Sequence, residues 1–247
     1  MKERPIIMSG ENVLAILGGR KTQTRRVMKP QPPEWAKYPL LDADCNLLFF
    51  ADKPGEWGGD QRSFPEKPIK PPYGKPGDHI WLRETWRPWS WWEGEPVYVE
   101  YKADMKHAPA DNTSTLVYGK LDDVADWETR VLIGVDEELK AKGFIPDDEG
   151  YYHLGDGSPL RWHSPIYMPR WASRILLEIT NVRVEHAHDI TMTDVVSEGV
   201  PLLGEIPDIR ISFALYWDSL YAKRGHPWSN NDLVWVYEFK VLEPAHA

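Results

Sequence analysis

Gly18-Gly19-Arg20-Lys21-Thr22-Gln23-Thr24-Arg25-Arg26-Val27 carries the chain from a helix into a strand, and the rest of the fold is legible outward from it. Upstream, Ser9 is a natural N-cap, Glu11 falls in the first turn, and Val13, Leu14, Ile16 and Leu17 form an apolar face at helical spacing. Gly18-Gly19 ends that helix. Downstream, Thr22 to Val27 has strand character and stops near Pro30. Within a strand Thr24 and Arg26 point to one face and Arg25 to the other, whereas Lys21, at the turn, escapes that alternation. Arg20, Lys21, Arg25 and Arg26 concentrate positive charge here, beside two threonine hydroxyls. This polar turn is the leading candidate for a functional site.

Ten of the 22 prolines fall between Pro30 and Pro76, where no helical period runs, so an irregular surface excursion is expected there. Gly74-Lys75-Pro76-Gly77-Asp78 reads as a turn, followed by an alternating strand at His79–Trp86 and another strand at Val97–Tyr101. A second irregular, acidic region covers about 103–165 and includes Asp122-Asp123, Asp147-Asp148-Glu149 and Gly155-Asp156-Gly157, with a short helix expected around Val135–Lys142. Strand character returns at Arg174–Glu185. Thr191 with Asp194 forms a capping box for a helix that stops at Gly199. Pro207 suits the first position of the next helix, whose stripe is Ile209, Phe213, Trp217 and Leu220 and whose end is Gly225. Leu233–Val241 is a final strand with Leu233, Trp235, Tyr237, Phe239 and Val241 on one face. Few βαβ units can be drawn from this order. An α+β fold, a small and mostly antiparallel barrel with helices on its flanks, fits better.

Composition sets the boundaries. The 247 residues are 42% hydrophobic and 27% charged, which is ordinary for a globular protein. No apolar run approaches the ~20 residues that span a bilayer, and the N-terminus lacks a signal-peptide core. The expectation is a cytoplasmic protein with no membrane contact. Cys45 is the only cysteine, which excludes an intramolecular disulfide and a cysteine-based zinc cluster. A net charge of −9 argues against a protein that coats long duplexes. Any nucleic-acid contact must then be local.

Several segments coincide with one family. Gly19 to Arg26 resembles the signature turn of ASCH domains, within the PUA-like β-barrels, and Pro76-Gly77-Asp78-His79-Ile80-Trp81-Leu82-Arg83-Glu84-Thr85-Trp86 resembles the family's "PGD plus strand" segment. Met168–Arg174, Ser197-Glu198-Gly199-Val200, Leu215–Leu220 and Val234–Phe239 are similar to the larger phage and prophage members. The resemblance implies a single PUA-like domain over 1–247, with a core at about 3–28, 74–102 and 166–243 and insertions at about 29–73 and 103–165. It implies a nucleoside or a single-stranded or modified nucleic acid, RNA above all, as partner, and no cofactor. Small members are amidohydrolases that deacylate N4-acetylcytidine through a lysine, a threonine and a glutamate. The matching positions here are Lys21, Thr24 and Glu198.

Two chemistries stay open for these residues. Lys21 can take the Thr24 proton if burial and neighbouring cations lower its pKa, or Glu198 is the base and Lys21 or Arg26 stabilises an oxyanion. Arg20, Thr22, Arg25 and Arg26 are candidate ligand contacts. Glu84 either lines the same cavity or forms an ion pair beside Arg83. Equally, the turn reads as a solvated basic edge with Thr24 a plain strand residue. Trp86, Trp89, Trp91 and Trp92 either pack an insertion or stack bases. His153, His163, His186 and His188 show no metal-ligand spacing, so no metal is expected. A binding module is the first expectation and an N4-acylcytidine amidohydrolase the second.

Overall fold

The computed structural model describes residues 1–54, 59–60, 62–90, 98–109, 133–150, 152–154, 158–200 and 208–242. In chain order the elements are β1 (Glu3–Ile7), α1 (Gly10–Leu17), β2 (Gln23–Val27), β3 (Tyr38–Leu41), β4 (Leu47–Phe50), β5 (Ser63–Ile69), β6 (His79–Arg83), β7 (Trp86–Ser90), β8 (Tyr98–Tyr101), β9 (Lys106–Pro109), α2 (133–141), β10 (Leu176–His186), α3 (Met192–Ser197), α4 (Ile209–Tyr221) and β11 (Leu233–Leu242). The fold is α+β with a mostly antiparallel main sheet in the order β1-β6-β10-β11-β2. The chain divides into two compact units. One holds Met1–Arg4, Leu14–Ile80 and Leu177–Leu242, and the other holds Pro5–Val13 and Trp81–Leu176.

In the first unit β2 lies antiparallel against β11, with Arg26 opposite Trp235, Arg25 opposite Val236 and Thr24 opposite Tyr237. Residues 233 to 237 of β11 are all buried, so this strand is covered on both faces, not on the one face that its alternation suggests. Against one face pack Val195 of α3 and Phe213 and Trp217 of α4, which bury Val234 and Val236. The Thr191–Asp194 capping box is present at the start of α3. The next helix begins at Ile209, capped by the Asp208 side chain, and Pro207 lies outside the described residues.

The proline-rich stretch is more regular than its sequence suggests. It contains the meander β3-β4-β5. The reason is where the prolines fall. Pro39, Pro65 and Pro68 sit in the outer strands, whose missing N–H groups need no ladder partner, and the central β4 has none. Pro5 hides β1 in the same way, and β1 is an edge of the main sheet.

In the second unit β8 is not a main-sheet strand, as the barrel reading requires. It pairs with β7 and β9 in a separate three-stranded sheet. Trp86, the first residue of β7, is buried, edge-on to Trp171 and stacked with His163. It therefore packs and offers no free face. The Trp89 side chain and residues Trp91 and Trp92 lie outside the described residues. The helix expected at Val135–Lys142 is α2, which buries Val135 and Leu139 with Leu160. Among the described residues no helix is long and apolar enough to cross a membrane.

Burial of one face of α4 gives a direct test. Phe213 is 1% exposed and Ile211, two residues earlier, is 49% exposed. Phe213→Ala should cost about 3–5 kcal/mol in urea unfolding and Ile211→Ala no more than about 0.5 kcal/mol. Similar losses for the two would contradict this packing.

Candidate functional site

Local backbone geometry brings the polar turn against the end of α3. Gly19 adopts φ +68° after α1, and the amides of Arg20 and Lys21 both donate to the Ala15 carbonyl, which closes the helix end tightly. Thr22 N–H then donates to Ser197 O at 2.8 Å, and Lys21 and Glu198 form an antiparallel bridge. Gly199 permits this approach. Its φ is +67°, and a Cβ there would stand 2.8 Å from the Lys21 Cβ and 2.9 Å from the Ala15 Cβ.

The side chains complete the contact. Lys21 Nζ donates to the Glu198 carbonyl and to its Oε2, each at 2.8 Å. The other carboxylate oxygen, Oε1, accepts from Arg25 Nη1 at 3.1 Å. Lys21, Arg25 and Glu198 are all 2–3% exposed. Arg25 is also gripped by Glu185 and lies 3.3 Å from Asp194, with Phe213 under its guanidinium. Asp194 in turn accepts from Gln23 Nε2 at 3.1 Å and pairs with Arg183 at 2.7 Å, and Arg183 reaches Glu185 and Glu238. The alternation of β2 explains the set: Lys21, Gln23 and Arg25, two residues apart, all engage partners on or beside α3.

Burial pushes the Lys21 pKa below the ordinary lysine value. Glu198 pulls it back, and Arg26 and Arg25 add to the lowering. Burial opposes ionisation of Asp194, but hydrogen bonds from Thr191 and Gln23 and the charge of Arg25 outweigh it and hold that carboxyl at about 2.

The remaining expected residues separate. Thr24 is buried opposite Tyr237, on the other face of β2 from Arg25, and among the described residues no hydrogen bond joins its hydroxyl to Lys21 or Glu198. Arg26 shares that face, half-buried, with Nη1 3.2 Å from the Tyr221 hydroxyl. Arg20 and Thr22 are exposed. Arg25, expected at a ligand or a solvated edge, is an internal ion-pair residue instead. Glu84 belongs to the second unit and is held in an ion pair, the second of its two expected roles, although buried. It accepts from Arg174 Nε at 2.9 Å and Nη2 at 3.0 Å, and Arg174 also holds Asp104 at 2.9 Å. His186 and His188 bond the Asn231 and Trp228 carbonyls. Sequence reading misses the roles of Gln23, Arg183, Glu185 and Asp194. Only the capping box points to Asp194, charged residues alternating along β10 are the one hint of Arg183 and Glu185, and Gln23 has only its place in β2 between Lys21 and Arg25.

Comparison of the chain with protein-family profiles, with curated proteins and with solved structures gave no match.

The shared carboxylate predicts an asymmetry. Losing one partner of a buried pair costs about 3–5 kcal/mol when a charge is stranded. Glu198→Gln strands Lys21, whereas Lys21→Met leaves Glu198 with Arg25. In denaturant melts Glu198→Gln should be the more destabilised, and the double variant Lys21→Met/Glu198→Gln should recover part of that loss. Equal effects would contradict a shared anion.

Asp194 predicts an acid limb. Its folded pKa, about 2, lies below the ordinary 3.8, so its stabilising contribution is complete above about pH 4 and is lost as pH falls toward 2. Unfolding free energy measured from pH 5 to pH 2 should fall less steeply in Asp194→Asn than in the wild type. Parallel curves would refute this assignment.

Proposed function

We propose that this chain is an ASCH-type module of the PUA-like class that binds a nucleoside, or one unpaired or modified base of an RNA, at the start of β2, beside the Lys21–Glu198 pair and the face of β2 that carries Thr24. The observation that carries this reading is the 2.8 Å contact between Lys21 Nζ and Glu198 across 177 residues of sequence. The two positions that the family resemblance assigns to a lysine and a glutamate meet at a buried bridge. Burying a lysine, an arginine and a glutamate together carries a desolvation cost of several kcal/mol per ion, and a plain fold gains little by it. Such clusters concentrate at functional sites. The antiparallel main sheet, flanked in sequence by α1 and α4, supports the PUA-like reading.

A second reading, hydrolysis of an N4-acylated cytosine, has one observation in its favour. Lys21 is buried, its pKa is lowered, and it lies beside a carboxylate, as a general base or oxyanion partner requires. The binding reading stands first because Thr24, the nucleophile of that scheme, is not joined to either group by a hydrogen bond.

One experiment separates them. Cytidine, N4-acetylcytidine and a short single-stranded RNA are titrated calorimetrically, and the acetylated nucleoside is followed by chromatography for release of cytidine. Binding without turnover, weakened only gently by salt because few phosphates are neutralised, is the expected result. Turnover that Lys21→Ala lowers by at least ~10²-fold would favour the hydrolase. Neither binding nor turnover would reject both readings.

A further inference from the structure

The face of β2 that carries Thr24 and Arg26 is the one that Arg25 and α3 do not use. Cross-strand register puts Tyr237 beside Thr24 on it. Tyr73, from the proline-rich stretch before β6, completes this face. Its ring meets Tyr237 edge-on, with centroids 5.4 Å apart at 83°, and its backbone N–H donates to the Tyr237 hydroxyl at 3.3 Å. Tyr73 is half-buried, so part of it meets solvent.

The backbone beside Tyr73 is closely bonded. Gly74, at φ +114°, turns the chain so tightly that a Cβ there would stand 2.8 Å from Asp78 Oδ2. Asp78 accepts from the amides of Lys75 at 3.2 Å and Lys2 at 2.9 Å, and the Asp78 backbone bonds Ile179 of β10. Tyr73 is thus an aromatic ring on a hydrogen-bonded turn, beside a buried threonine and an arginine. Burial works against the charge on Arg26, and Tyr221, Tyr73 and Glu198 near it more than offset that effect, so its pKa is raised.

We propose that Tyr73 is the stacking wall of this site and that the site takes one flat, unpaired base by its face, with the half-buried Arg26 alongside at its polar edge. This rests on the nucleoside-binding reading above and adds to it the residue that selects a base over the sugar and phosphate. A tyrosine on a hydrogen-bonded turn, with its ring edge-on to Tyr237, suits that role. Base–aromatic stacking is worth roughly 1–3 kcal/mol per base, or about 5–150-fold in affinity, and a ring already packed loses less entropy on binding. Stacking tolerates every base, so selection among bases would fall to the polar edge. A paired base in a duplex would be excluded because its faces are already covered.

The test compares wild type with Tyr73→Phe and Tyr73→Leu, using cytidine and, as a base-free control, ribose 5-phosphate. The backbone N–H bond to Tyr237 survives in both variants, and thermal melts check the fold. Expected are wild-type cytidine affinity in Tyr73→Phe, a loss of at least ~5-fold in Tyr73→Leu, and upfield ring-current shifts of the cytidine H5 and H6 resonances in the first two proteins only. Ribose 5-phosphate should bind no better to wild type than to Tyr73→Leu. Cytidine binding that Tyr73→Leu leaves unchanged, or that shows no ring-current shift in wild type, overturns the stacking role while the nucleoside reading survives. If wild type binds no nucleoside, both fall together. Should Tyr73→Leu fail to fold, the ring-current shift in wild type and its persistence in Tyr73→Phe decide the matter alone.

Discussion

Glu198 is one carboxylate with two cations on it, and the first unit is organised around that fact. Lys21 takes one oxygen and Arg25 the other, and all three groups are buried. Neither cation could be buried alone at tolerable cost. Each needs the end of α3 in its present place, and α3 is held there by its capping box, by Gln23 on Asp194 and by the Thr22 amide on Ser197. Through Asp194, Glu185 and Arg183 the charges alternate outward to Glu238 on β11, whose side chain is 40% exposed. The cluster therefore links α3, β2, β10 and β11 by ion pairs as well as by packing.

This arrangement depends on Gly199. The left-handed turn there ends α3 and lets its last residues lie against the helix-to-strand corner with no side chain between. A glycine ends α1 as well, so two helix termini meet at the corner where Lys21 emerges. Helix ends carry backbone groups that need partners. Here the Ala15, Ser197 and Glu198 carbonyls all receive donors from residues 20–22, which lets Lys21 be buried between two exposed neighbours.

Much of this is legible in the sequence, and what is not has physical causes. The Gly18-Gly19 stop, the Thr191–Asp194 capping box and the strands β2, β6, β10 and β11 are readable because local rules govern them. The pairing of Lys21 with Glu198 is accessible only through family resemblance, since nothing in spacing joins positions 177 residues apart. The Pro30–Pro76 meander is hidden because proline signals a break in a central strand but not in an edge strand. Sequence places β8 in the wrong sheet because alternation reports burial of a face, not the identity of the neighbouring strand. Arg25 misleads for a related reason. A run of cations reads as a solvated edge unless the carboxylates that neutralise it, scattered over β10 and α3, are brought into view by the fold.

The two faces of β2 differ. One commits Gln23 and Arg25 to partners on and beside α3 and β10, and the other carries Thr24 and Arg26, with Lys21 at the corner between them. The central claim is that the buried Lys21 ammonium belongs to a binding site and not to the scaffold alone, and its own nitrogen signal reports on that most directly. In ¹⁵N NMR of the full chain, with Lys21→Met to assign the resonance, Lys21 Nζ should appear as a slowly exchanging ammonium that shifts when cytidine is added. A resonance that stays in place at saturating cytidine, or that exchanges as fast as those of exposed lysines, would contradict it.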